Sequence, residues 1–82
     1  MKSIRYTRAA ARALRKHGNM EARITAKIEA NAANPGALEN MVTEMVGKDY
    51  MRLRVGDFRV LFRETANDIT VLDLGPRGSI YE

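Results

Sequence analysis

Several residue types are scarce or missing in this 82-residue sequence, and each absence excludes a class of protein. The sequence has no cysteine, which excludes disulfides and thiolate metal sites. With a single histidine, His17, and scattered carboxylates, it offers no cluster of metal ligands, and we expect neither a metal nor another cofactor. A glycine-rich phosphate loop is also missing.

Long apolar runs are missing as well. None approaches the ~18 residues that a membrane span requires. The N-terminal stretch MKSIRYTRAAARALRK lacks the apolar core of a secretory signal. We therefore expect a cytoplasmic protein, and the length predicts a single domain over residues 1–82 with a small core.

Acidic residues are outnumbered by basic ones. The chain has 14 Lys and Arg against 10 Asp and Glu, for a net charge of +4. Most of these cations are arginines, whose forked guanidinium suits contacts with phosphate. This composition favours a polyanionic partner, although many basic proteins bind none.

Two helices are predicted in the N-terminal half. Thr7 can cap the first, over residues 8–16, which has one apolar face and one cationic face. Asn19 can cap the second, and the sequence Asn34-Pro35-Gly36 ends it. Residues 37–46 carry apolar side chains at helical spacing and are interpreted as a short helix or a compact loop.

From residue 51 the apolar period changes from about four to two, which indicates strands. Residues 51–55 and 58–64 flank Gly56-Asp57, a two-residue hairpin turn. A further strand covers residues 69–75, and residues 3–6 form a first strand. The order β-α-α-β-β-β predicts an α+β fold in which an antiparallel two-helix hairpin packs on one face of a small antiparallel sheet.

The predicted hairpin separates its apolar and charged residues onto two faces. Pairing across the turn places Arg54 opposite Arg59, with Arg52 on the same face, and leaves the other face apolar for the helices to cover. Two like charges directly opposite each other cost up to ~1 kcal/mol. The arginines either form a solvated face that keeps the protein soluble or a cationic surface for phosphates. Asp73 or Glu64 would neutralise them if either reached across.

The string YMRLRVGDFRVLFRE, followed by ITVLDLGPRGSIYE, resembles the RelE/ParE family of bacterial toxin–antitoxin toxins. The family pattern is R-L-R-V-G-D-aromatic-R-V on a hairpin, then Gly-x-Arg and a tyrosine near the end. Residues 52–60, Gly75, Arg77 and Tyr81 supply it here. The likeness extends to the two-helix N-terminal half, covers nearly the whole chain and implies a RelE-like fold.

The resemblance implies one of two mechanisms. RelE-like members cut mRNA in the ribosomal decoding site, whereas ParE-like members bind DNA gyrase and cleave nothing. Arg52, Arg59, Arg77 and Tyr81 match positions that matter in the RelE-like branch, so we expect a metal-independent, ribosome-dependent mRNA endoribonuclease that inhibits translation. A gyrase inhibitor and an inactive, basic nucleic-acid-binding member are the alternatives.

The same resemblance implies roles for individual residues. The catalytic residues are expected to be Arg59 and Arg77, which would stabilise the phosphorane, and Tyr81, which would act as base or acid or stack on a nucleotide base. The expected RNA-binding residues are Arg52, Arg54, Lys48 and Tyr50. The chain departs from the family where some members carry a lysine pair, here Tyr50 and Arg52, and where many carry a histidine, here Pro76. The usual groups for proton transfer are therefore missing or replaced.

The resemblance also implies a protein partner, a cognate antitoxin that is often acidic and partly disordered until bound. The expected partners are this antitoxin in a hetero-oligomer, together with the ribosome and mRNA or, on the alternative reading, DNA gyrase. No membrane is expected. His17 is interpreted as a residue at the C-terminal end of the first helix, where the helix dipole favours it.

Overall fold

A computed structural model describes residues 2–34, 42–44, 47 and 49–78. The elements in chain order are β1 (Ser3–Tyr6), α1 (Arg8–Lys16), a 3₁₀ turn (Gly18–Met20), α2 (Glu21–Ala33), β2 (Val42–Glu44), β3 (Met51–Val55), β4 (Phe58–Glu64) and β5 (Asp68–Pro76). The strands form one sheet in the order β1-β5-β4-β3-β2.

The predicted α+β class, with two helices packed on a sheet, is confirmed, but the sheet differs from the prediction in two details. Val42–Glu44 form a strand on the edge beside β3, inside the segment interpreted as a helix or loop. In addition, β1 is parallel to β5, so the sheet is mixed rather than antiparallel. Residues 35–41 and 45–46, the rest of that segment and of the predicted helix stop, lie outside the described residues.

Helix α1 begins and ends where its sequence predicts. The Thr7 side chain accepts a hydrogen bond from the Ala10 backbone N–H at 3.1 Å, which satisfies one of the free donors of the first turn. Ala10 and Leu14 are buried, while the cationic side chains face outward. Asn19, however, does not cap α2: it lies inside the 3₁₀ turn, which runs straight into the helix and leaves no extended residue for a cap.

The core lies between the helices and one face of the sheet. Ile24, Ile28 and Ala32 supply one stripe of α2 at helical spacing. They pack against buried residues of the sheet: Leu53, Val55, Val60, Phe62, Ile69, Val71 and Leu74. In the described part of the chain, no helix is long and apolar enough to cross a membrane.

The β3–β4 hairpin has the predicted register. Arg54 pairs with Arg59, and the neighbouring pairs alternate between the two faces of the sheet as expected. Gly56 has φ +58°, a conformation that residues with a Cβ rarely adopt, which explains the glycine in this turn. The hairpin therefore presents its apolar face to the helices and its arginines to the outside.

An irregularity in β5 attaches α1 to the sheet. Leu61 pairs with Asp73 and Phe62 with Val71, so Leu72 is an extra residue in a β-bulge. The Thr7 hydroxyl donates to the Leu72 carbonyl at 2.6 Å, and the Thr7 backbone N–H donates to the Val71 carbonyl at 3.0 Å. The residue that caps α1 thus also binds the bulge.

Candidate nucleic-acid interface

Three arginines lie on the sheet face opposite the helices. Arg52 and Arg54 on β3 and Arg59 on β4 share this face because cross-strand partners point to the same side. Arg54 is exposed, and Arg52 and Arg59 are half-buried. We call these three residues the arginine face.

Of the two carboxylates considered as neutralising partners, Glu64 pairs elsewhere, whereas Asp73 lies on the side of the arginine face. Glu64 accepts from the ammonium of Lys2 at 2.5 Å, a pair that ties the start of β1 to the end of β4. Asp73 accepts from the backbone N–H of Leu74 at 2.8 Å. It pairs with Leu61, which is buried between Arg52 on one side and Asp73 on the other.

Arg77 is held beside the turn of the hairpin. Its backbone N–H donates to the carbonyl of Asp57 at 2.7 Å, and its side chain is exposed. Two residues earlier, Gly75 pairs with Arg59 on the neighbouring strand. The arginine of the C-terminal motif and Arg59 thus belong to the same end of the sheet, although 18 positions separate them in the chain.

The remaining predicted site residues divide into two groups. Tyr50, half-buried, immediately precedes β3 and lies two positions before Arg52. Lys48 and Tyr81 lie outside the described residues, so their roles stay predictions.

Tyr6, a described tyrosine elsewhere in the sheet, is unsuited to proton transfer at this site. Burial is the main cause that raises the pKa of Tyr6 above its ordinary value of 10.0, and the carboxylates of Glu29 and Glu21 raise this pKa further. Its side chain packs against the core on the helix-covered side.

The arrangement suits binding of phosphate rather than of metal ions. Guanidinium groups stay charged and donate paired hydrogen bonds to phosphate oxygens. Among the described residues, no three histidine or carboxylate side chains are placed to hold a metal ion. Arginine cannot serve as a general base because its pKa exceeds ~12. The described part of the site can therefore bind and stabilise negative charge.

The structure also shows a cleft that sequence reasoning missed. It has a volume of about 300 Å³ and lies between the C-terminal half of α1 and the end of β5. Arg12, Lys16 and His17 line one wall, and residues 73–76 line the other. We call it the α1–β5 cleft. The cations of α1 were visible in the sequence, but no local pattern indicates that this helix lies along the last strand.

His17 does more than end the first helix. As the C-cap of α1, its backbone N–H donates to the carbonyl of Ala13. Its ring packs edge-on against Phe58, with ring centroids 5.0 Å apart and an interplanar angle of 82°. This contact links the helix end to the first residue of β4, beside the α1–β5 cleft.

A family model assigns the chain to a class of protein. The model described as ParE toxin of type II toxin–antitoxin system, parDE, matches residues 4–81. The chain belongs to this family of type II toxins, and with it to the RelE/ParE superfamily. No curated protein matches the chain closely enough to count as a relative.

Solved structures with the same fold include complexes and single proteins. The archaeal RelE–RelB complex from Pyrococcus horikoshii OT3 shares 23% identity over 96% of this chain and 98% of that one, with a TM-score of 0.70. YafQ from E. coli strain BL21(DE3) shares 12% identity over 100% of both chains, with a TM-score of 0.75. The toxin–antitoxin complex RelBE2 from Mycobacterium tuberculosis shares 22% identity over 93% of this chain and 98% of that one, with a TM-score of 0.63. At these identities the likeness establishes the fold.

Proposed function

We propose that this toxin is a metal-independent mRNA endoribonuclease that acts on the ribosome and inhibits translation. The observation that carries the proposal is the placement of Arg77 beside the hairpin turn, through its hydrogen bond to Asp57, at the end of the sheet that bears Arg59. Arg59 on β4 and Arg77 just after β5 thereby lie at the same end of the sheet, where they would contact one phosphate.

The chemistry needs such an arrangement. In metal-free RNA cleavage the 2′-OH attacks the adjacent phosphorus, its proton leaves to a base, and the 5′-oxygen departs with a proton from an acid. Arg59 and Arg77 would donate to the nonbridging oxygens as charge builds on the phosphorane. Loss of one such donor costs ~3 kcal/mol, or roughly a hundredfold in rate.

The other predicted residues would bind and orient the substrate. Arg52 and Arg54 would contact neighbouring phosphates, and Tyr50 and Lys48 would add RNA contacts. Tyr81 would transfer a proton or stack on a nucleotide base. Because the chain lacks the usual lysine pair and histidine, much of the rate enhancement would come from positioning on the ribosome.

A cognate antitoxin would hold this activity in check. Two of the structural neighbours are complexes, RelE–RelB and RelBE2, in which a toxin of this fold is bound by its partner. An acidic antitoxin would complement the net charge of +4 and would add stability by binding the folded state alone.

Inhibition of DNA gyrase without cleavage is the second candidate. It is favoured by the matching family model, whose description names ParE and parDE. On that mechanism the arginine face would contact a protein rather than RNA. Because nothing is cleaved, no residue would have to transfer a proton.

One experiment separates the candidates. We expect induction of the chain without antitoxin to stop incorporation of radiolabelled amino acids before that of thymidine. Arg77→Ala should relieve the arrest, while the control Arg5→Ala, which removes the same charge from an exposed position on β1, should not. Circular dichroism would verify that both variants fold. Earlier loss of thymidine incorporation would support gyrase inhibition, and loss of neither would indicate an inactive member.

A further inference from the structure

The exposed face of α1 is densely cationic. Its four cations are Arg8, Arg12, Arg15 and Lys16, and the nine-residue helix contains no acidic residue. Several lie three or four positions apart, where like charges destabilise a helix by ~0.2–0.5 kcal/mol per pair. None of the four has an ion pair with another residue in the described part of the chain. A helix that is destabilised by its own charges is suited to a polyanionic ligand.

The α1–β5 cleft gives two of these cations a concave setting. Arg12 and Lys16 are on its helical wall. Its volume of about 300 Å³ is at the small end of ligand pockets, enough for a phosphate with part of its sugar. Strand β1 ends at Tyr6, opposite Val71, so this part of β5 extends beyond its neighbour and leaves the cleft open along the strand.

The cleft and the arginine face lie on opposite faces of the sheet but adjoin at β5. Gly75 lines the cleft and is also the cross-strand partner of Arg59. Neighbouring strands lie ~4.8 Å apart, and a nucleic-acid strand carries a charge every few ångströms. A single strand bound to the arginine face therefore reaches the cleft by passing around β5 beyond the end of β1.

Asp73, the acidic residue among those that line the cleft, is the cross-strand partner of Leu61, so its carboxylate lies on the side of the sheet that carries the arginine face. The charged groups that the cleft itself presents are therefore the cations Arg12 and Lys16, which suit the backbone phosphates of a strand that continues from the arginine face.

We infer that the α1–β5 cleft is a second RNA-binding site, in which Arg12 and Lys16 contact one or two backbone phosphates. The inference rests on the proposed function in taking RNA as the polyanion. The phosphates belong either to the mRNA strand that crosses the arginine face or to ribosomal RNA. In either case the cleft holds the toxin on its substrate and takes no part in the chemistry.

A pair of double variants tests this site. Arg12→Gln with Lys16→Gln removes the two cleft cations, and glutamine has nearly the same helix propensity. Arg23→Gln with Lys27→Gln on α2 is the control: it removes the same residue types at the same spacing of four and changes the net charge equally. Circular dichroism and thermal melts verify that both fold.

Two probes distinguish the sources of phosphate. Binding of a fluorescein-labelled 12-nucleotide single-stranded RNA is measured by fluorescence anisotropy across a salt series, and binding of 70S ribosomes by co-sedimentation. We expect the cleft variant to lose about tenfold in affinity for at least one probe. On the RNA probe, the salt dependence should weaken by ~0.7 in slope for each lost contact. The control should lose less than a third as much.

A cleft variant that matches the control on both probes overturns the inference. If that variant also loses binding to the cognate antitoxin, the cationic face of α1 belongs to a protein partner instead. A loss on the RNA probe assigns the cleft to the mRNA strand, and a loss on ribosomes alone assigns it to ribosomal RNA. Neither binding assay requires cleavage, so failure of the proposed nuclease activity would appear separately, as intact mRNA with the wild-type protein.

Discussion

Thr7 joins α1 to the sheet, and its replacement by valine tests how strongly. The hydroxyl accepts from the Ala10 N–H at 3.1 Å and donates to the carbonyl of Leu72 at 2.6 Å. Valine keeps the shape of threonine but removes both hydrogen bonds. Its branched side chain also suits the extended backbone at this position, where φ is −69° and ψ 167°.

The expected loss follows from the two contacts. Removing a threonine N-cap costs ~1 kcal/mol, within a range of 0.5–2. Leaving the Leu72 carbonyl in the bulge without its hydroxyl donor costs ~1–2 kcal/mol more. The sum, ~2–3 kcal/mol, is a large fraction of the ~4–12 kcal/mol that a chain of this length has in total. It corresponds to a decrease in Tm of roughly 10–20 °C.

Urea unfolding followed by circular dichroism measures this loss. Thr7→Ser is the matched control because it keeps the hydroxyl and loses only the methyl group. We expect Thr7→Val to lower the midpoint with an unchanged m-value, and Thr7→Ser to retain most of the stability. A valine variant within ~0.5 kcal/mol of wild type, the least that loss of the cap alone should cost, would refute the role assigned to Thr7.

Three further predictions concern other contacts. Because the pKa of Tyr6 is raised by burial and two α2 carboxylates, its contribution to stability is complete below about pH 10, where the unfolded tyrosine begins to ionise, and is lost as pH rises through the folded pKa. Tyr6→Phe should therefore flatten the alkaline decline in urea midpoint, and an unchanged decline would contradict this cause. Glu64→Gln should cost ~1–3 kcal/mol, because the side chains of Lys2 and Glu64 are only 22% and 17% exposed; an unaltered midpoint in a urea titration at pH 7 would show that the pair is not formed in solution. Gly56→Ala should cost ~1–2 kcal/mol because φ is +58° there, whereas Gly18→Ala, with no atom within 4 Å of the added carbon, should cost little in the same thermal melts; equal losses would exclude backbone strain as the reason.

The local elements of the fold were largely predictable. Alternation of apolar and charged residues, with Gly56 and Asp57 between the strands, predicted the register of β3 and β4 pair by pair. The cap at Thr7 and the apolar spacing predicted the bounds of α1. These features depend on interactions between residues close in sequence, so their patterns are visible without coordinates.

The errors concern elements whose structure depends on distant partners. Strand β2 has three residues, too few for an alternating pattern to outweigh the helical spacing around it, and it forms by pairing with β3. Strand β1 is parallel to β5, about 65 positions later in the chain, and nothing within its four residues indicates that partner. The mistaken cap at Asn19 has a local cause instead, since the 3₁₀ turn runs directly into α2 and leaves no extended residue to serve as a cap.

The candidate site divides in the same way. The arginine face was predictable because Arg52, Arg54 and Arg59 are parts of one hairpin. The position of Arg77 next to Asp57 and the cleft between α1 and β5 were not, because both depend on where the last strand packs. Lys48 and Tyr81, which lie outside the described residues, stay predictions from the family resemblance.

The amino-acid sequence by itself determined the two helices, the hairpin, the separation of apolar from cationic faces and the resemblance to a toxin family. Tertiary structure alone decided which strand pairs with β1, the formation of strand β2, the attachment of Thr7 to the bulge and the cleft beside α1. The physical reason is that periodicity and turn chemistry act over a few residues. Pairing between distant segments depends instead on which apolar faces and strand edges are left to be covered after the local elements have formed.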